Sequence, residues 1–192
     1  MNTEEQVRLF VVANSLAENR LDKIEQERDL DLGRTLKEPS KEQDYYAQFD
    51  SAFRKEAKEM ARHYEVFYCL ERSIRGLIVQ LMKEKYSDDW WEKKVREDIR
   101  KNVEANIKRE ADSGFTERSE LKIDYTTFGE LALIVQDNWD AFVNLFRNPK
   151  AFSKIMNSLN QLRAPIAHCC PLAEDEVVRL DLAVKDWFRL MD

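Results

Sequence analysis

The stretch DYYAQFDSAFRKEAKEMARHYEVFYCLERSIRGLIVQLMKEKY, residues Asp44–Tyr86, decides the fold. Tyr46, Phe49, Phe53, Met60, Tyr64, Phe67, Ile74, Ile78 and Leu81 fall on one stripe at the period of an amphipathic helix, and no proline interrupts them. At 1.5 Å per residue such a helix would be about 60 Å long, so it either spans the whole domain or breaks once.

The rest of the composition agrees with this reading. A chain of 192 residues, 43% of them hydrophobic, is long enough for one domain with a real core and short for two. Four glycines, four prolines and a 35% share of charged residues indicate helices rather than a sheet with many tight turns. The expected fold class is all-α: a helical bundle with one long helix, plus an N-terminal helical extension. The extension, residues 1–43, comprises a helix from Glu4 to about Arg28, carrying Val7, Phe10, Val11, Ala17, Leu21 and Ile24, and a linker marked by Gly33 and Pro39. Whether that helix packs on the bundle or serves as a partner-binding arm is open. The bundle domain is residues 44–192.

Four more helices are expected in that domain. Ser87 and Asp88 can cap one ending near Gly114, Thr127 and Glu130 form a capping box for the next, and Asn148–Pro149 opens another. The last begins near Glu174, with three acids in its first turn and Val177, Leu180, Val184, Trp187 and Met191 on one face.

Several function classes are disfavoured. No apolar run approaches the roughly 18–20 residues of a membrane span, and MNTEEQVRLF is acidic where a signal peptide is basic, so a cytoplasmic protein with no membrane partner is expected. Cys69, Cys169 and Cys170 form no CxxC pair and read as free thiols; with His168 they lack the usual zinc spacings, so neither a metal nor another cofactor is expected. A net charge of −6 argues against coating nucleic acid by counterion release but leaves room for a local site. The basic residues Lys93, Lys94, Arg96, Arg100, Lys101, Lys108 and Arg109 are interleaved with acids and read as a solvated face rather than an RNA guide.

Two polar residues intrude on apolar stripes. Glu71 lies on the long helix's stripe, with Arg75 one turn onward as its partner, and Arg163 follows Phe152, Met156 and Leu159 on another. Glu71 is either a structural ion-pair residue or a site residue, and a meeting with Arg163 is possible. Arg163 belongs to the segment LRAPIAHCCPL, Leu162–Leu172. Pro165 should end or kink the helix, freeing His168 to fold back beside Arg163. Guanidinium and imidazole together suit attack on a phosphodiester: one stabilises charge, the other moves a proton.

The segments LNQLRAPIAHCCPLAEDEVVRL and HYEVFYCLERSIRGLI, with DDWW between them, resemble the HEPN superfamily over about Asp44–Asp192. The resemblance implies a metal-independent endoribonuclease built on an α-helical bundle. It implies Arg163 and His168 as catalytic residues in a cleft shared by a homodimer, Glu71 as the contributing acid, and RNA as the substrate. Toxin–antitoxin or antiviral-defence roles follow, with an antitoxin or defence-system protein as a further partner. One departure is Ala164, where the family commonly has a polar residue. The alternative is a non-catalytic dimerisation or nucleotide- or RNA-binding module.

Overall fold

The computed structural model describes residues 45–191 and, upstream of them, scattered positions between Phe10 and Arg28. Most of the expected N-terminal helix and its linker lie outside the described residues; those described between Phe10 and Arg28 are helical. The chain divides into two compact units, Met1–Asp50 and Ser51–Asp192. In the first, Tyr46–Gln48 form a 3-10 turn. The second is all-α, and no strand occurs among its described residues.

The long helix α1 spans Ser51–Tyr86 without a break, which decides the question its length left open, and it begins at Ser51 rather than near Asp44. Its buried residues begin only at Phe67 and continue through Leu70, Ile74, Arg75, Ile78 and Met82. The expected stripe is therefore half right. Phe53 and Tyr64 are exposed, and Met82 rather than Leu81 is enclosed.

Ser87 does not cap the following helix. It takes a left-handed backbone conformation (φ 68°) and ends α1, its N–H donating to the carbonyl of Lys83 at 2.9 Å. The expected helix to Gly114 is split into α2 (Trp90–Lys94) and α3 (Glu97–Asp112), because Val95 and Arg96 are extended. Successive helical residues point about 100° apart, and the short α2 turns both Trp90 and Trp91 into the core before α3 buries Ile99 and Val103. Gly114, with φ 72°, follows the end of α3.

A 3-10 turn, Lys122–Tyr125, leads into α4 (Phe128–Asp137). The Thr127–Glu130 capping box forms as expected: Glu130 N–H donates to Thr127 Oγ1 at 3.3 Å and Thr127 N–H donates to Glu130 at 2.7 Å. Buried Asn138 ends α4 and separates it from α5 (Trp139–Phe142), its side chain donating to the carbonyls of Ile134 at 2.9 Å and Lys94 at 3.2 Å. Asn148 caps α6 (Pro149–Ala167) by accepting from Lys150 and Ala151 N–H, and α7 spans Glu174–Arg189.

α1 packs against α4, α5 and α6, and α6 packs against α4 and α7. At their centre Phe146 lies 5.1 Å from Phe152 and 5.4 Å from Trp187, while Phe67 of α1 meets Phe128 of α4 at 5.4 Å. Rings at these separations in tilted arrangements add to the burial of their area. The core thus locks the C-terminal half of α1 to α6, the two helices that carry the intruding polar residues. No helix among the described residues is long and apolar enough to cross a membrane.

Candidate active site

Glu71 and Arg163, 92 positions apart in sequence, meet across the α1–α6 contact. Arg163 donates from Nε to Glu71 Oε2 at 3.1 Å. The other carboxylate oxygen of Glu71 accepts from Arg75 Nη2, so one carboxylate is shared by two guanidinium groups. Arg163 has no hydrogen-bond partner at its terminal nitrogens among the described residues, and its side chain is 39% exposed. A guanidinium held through one edge in this way keeps its fork of N–H donors for an oxyanion.

Arg75 is the anchor. Its side chain is 9% exposed, and besides Glu71 it donates to the carbonyl of Ile123, to Thr126 Oγ1 at 2.9 Å and to the Thr126 carbonyl at 3.0 Å. Those acceptors belong to the 3-10 turn and the residue after it, so the turn fixes Arg75, Arg75 orients Glu71, and Glu71 orients Arg163. A buried charge is tolerated only when its donors are matched in this way. Outside this chain of contacts, Arg72 reaches Asp124 of the same turn at 3.3 Å.

The pair stands in the wall of a cavity of about 210 Å³. Glu71, Arg72, Arg75 and Arg163 supply its polar lining; Tyr64, Phe67, Tyr68, Ile166 and Ala167 supply the rest. An adjoining groove of about 470 Å³ is lined by Phe53, Ala57, Met60 and Tyr64 of α1 and by Ile166 and Cys169.

His168 is placed differently from the expectation. Pro165 neither ends nor frees the helix: α6 continues through it to Ala167, and His168 is the C-cap. Proline removes the bond from its own nitrogen and crowds the carbonyl four residues back, but the helix bonds donated by later residues remain, as the His168 N–H to Ala164 carbonyl bond shows. His168 N–H donates to the carbonyls of Ala164 at 3.1 Å and Pro165 at 3.2 Å, and Cys170 N–H to that of Pro165 at 2.9 Å. The imidazole is exposed, lies one residue beyond the cavity lining, and is not hydrogen-bonded to Arg163. Ala164 is exposed too.

The basic stretch is largely committed to neighbours. Lys93 pairs with Asp89, Lys101 with Glu97 at 2.7 Å and Arg96 with Asp98 at 2.9 Å, while Lys94 sits 4.4 Å over the Tyr86 ring.

A family model described as Swt1-like HEPN matches residues 65–192, about two thirds of the chain. The chain belongs to the Swt1-like HEPN family. A comparison with the curated proteins and another with the solved structures found no match. The HEPN match takes in Glu71, Arg75, Arg163 and His168. It begins one residue after Tyr64, so the exposed N-terminal half of α1, from Phe53 to Tyr64, lies outside it.

The contribution of Ile123 and Thr126 to this site was missing from the sequence reading. Two backbone carbonyls carry no residue-type signal; the threonine ahead of the Thr127 capping box was the one visible trace.

Proposed function

We propose that the chain is a metal-independent endoribonuclease in which Arg163 and His168 act on the phosphodiester and Glu71 holds Arg163, with the cleft completed by a second copy of the chain. The observation that carries this reading is the half-exposed guanidinium of Arg163, pinned by Glu71 at the cavity wall with its terminal donors directed to no other side chain among the described residues. That arrangement suits a phosphate whose negative charge grows in the transition state.

His168 supplies the proton transfer. Its imidazole takes the proton of a ribose 2′-hydroxyl as that oxygen bonds to phosphorus, the bond from phosphorus to the 5′-oxygen breaks, and the departing oxygen takes a proton from a second imidazole or from water. The products are a 2′,3′-cyclic phosphate and a free 5′-hydroxyl. Proton carrier and charge stabiliser are both side chains, so the mechanism assigns no step to a metal. On a regular helix, residues five apart diverge by about 140°, which favours a cleft where His168 and Arg163 of two copies approach one phosphate from different sides. Membership of a HEPN family supports RNA as the substrate, and with it a role as a toxin or antiviral-defence effector controlled by an antitoxin or defence-system protein.

The test is cleavage of total RNA in excess chelator by wild type, His168→Ala and Arg163→Ala. Wild type should cut and leave cyclic phosphate ends, and His168→Ala should be slower by about a hundredfold or more with its fold intact. A His168→Ala protein as fast as wild type, or activity lost to chelator and restored by magnesium, overturns the proposal.

Exposed Ala164 beside Arg163, and the absence of His168 from the cavity lining, favour a second reading: a non-catalytic dimerisation or nucleotide-binding module in which Glu71–Arg163 braces the bundle. It predicts no cleavage, and a fall in melting temperature or dimer affinity for both substitutions.

A further inference from the structure

Tyr64 and Tyr68 are large aromatic side chains that the described residues leave more than half exposed. They occupy successive turns of α1, are 59% and 55% exposed, and their rings stand 6.0 Å apart at a 37° tilt. Phe67 between them goes into the core, so the same helix segment both packs and presents two aromatic faces outward. Both tyrosines line the cavity that holds Arg163. Arg72 continues their row at the next step of four. Along one ridge, therefore, two aromatic rings lead to a cation, and the half-exposed guanidinium of Arg163 lines the same cavity.

We propose that Tyr64 and Tyr68 form a stacking platform on which an unpaired base of the bound RNA rests; the inference rests on the ribonuclease reading above. At about 210 Å³ the cavity is smaller than the roughly 300–1,000 Å³ of sites that enclose a drug-sized ligand, so it takes one planar ring and not a whole nucleotide. Tyr68 precedes Glu71 by three residues, about 5 Å along the helix axis, which sets a base on the platform next to a phosphate at Arg163. A base in a duplex is already stacked and paired and presents no free face, whereas a splayed base in a single strand does. The acidic chain lacks a broad basic track, so aromatic faces supply affinity that backbone charge does not.

The experiment uses the full chain carrying His168→Ala, so that RNA stays intact, and a short RNA containing the fluorescent base 2-aminopurine. In that background the single strand should bind at least about tenfold tighter than the same strand annealed to its complement, with fluorescence quenched by stacking. The pair Tyr64→Ala and Tyr68→Ala should weaken single-strand binding by roughly five- to a hundredfold, and Tyr64→Phe with Tyr68→Phe should restore it, since the ring and not the hydroxyl stacks. Equal binding of single strand and duplex, or an alanine pair that binds and quenches like its parent, overturns the platform. The two proposals fail separately. If wild type cleaves and the alanine pair on a wild-type background cleaves single strands at the same rate, the platform is wrong and the ribonuclease stands. If nothing is cleaved but tyrosine-dependent single-strand binding appears, the ribonuclease is wrong and the platform stands.

Discussion

Replacing Glu71 by alanine isolates the contact on which the site geometry depends. The carboxylate is 17% exposed and bonded to both Arg75 and Arg163. Alanine is the best helix former, so α1 itself suffers nothing. Deleting one member of a buried ion pair costs about 3–5 kcal/mol because the survivor is stranded. Arg75 is not wholly stranded: it keeps the Ile123 carbonyl and both oxygens of Thr126. Arg163, at 39% exposure, turns to water. A loss of about 2–3 kcal/mol is expected, which in a domain of this size lowers the melting temperature by roughly 4–12 °C. Arg163→Ala removes the more exposed partner and should cost only about 0–1 kcal/mol. Thermal unfolding of the two variants beside wild type gives the ranking. If Glu71→Ala melts with wild type, or if Arg163→Ala loses as much as Glu71→Ala, Arg75 is not the anchor described here.

Tyr86 hydrogen-bonds to Asp140; burial first, then the adjacent carboxylate, pushes its phenol pKa up to about 12 from 10, while the phenol's hydrogen bond holds Asp140 below its usual value. The raised phenol contributes stability that is present below pH 10 and lost as pH rises toward 12, and the lowered carboxyl contributes stability lost as pH falls below the usual aspartate range, so the urea midpoint of Tyr86→Phe should converge with wild type at both extremes and lie lower between them. Thr127→Ala removes the acceptor for Glu130 N–H and should cost about 1 kcal/mol, read as a melting shift of roughly 2–4 °C. Light scattering at micromolar concentration should return twice the 22.8 kDa of one chain, and a monomer at every concentration would remove the composite cleft.

Local chemistry is what the sequence by itself determined. The Thr127–Glu130 capping box, the Asn148 cap and the start of the last helix each depend on residues within a few positions of one another and were readable, whereas the period of the long helix left open whether it breaks. Glu71 and Arg163 stood out for a related reason, because a charge on an apolar stripe demands a partner wherever the fold puts it. Tertiary structure alone decided what that partner was and what covered each stripe. Periodicity marks a face as apolar without saying whether another helix reaches it, so Phe53 and Tyr64 carried the same signal as Phe67 and only Phe67 is enclosed. The break at Val95 lets the helix bearing Ile99 and Val103 take a different course from the short one that buries Trp90 and Trp91, and Asn138 at the end of α4 bonds a carbonyl of α2, neither of which a local pattern encodes. Pro165 shows the opposite limit: its effect depends on how near the helix end lies, and here α6 runs two residues further and leaves His168 outside the cavity wall. The anchor of the site was the least legible part, because Arg75 is held partly by backbone carbonyls, which every residue possesses and only the packed chain brings to one place.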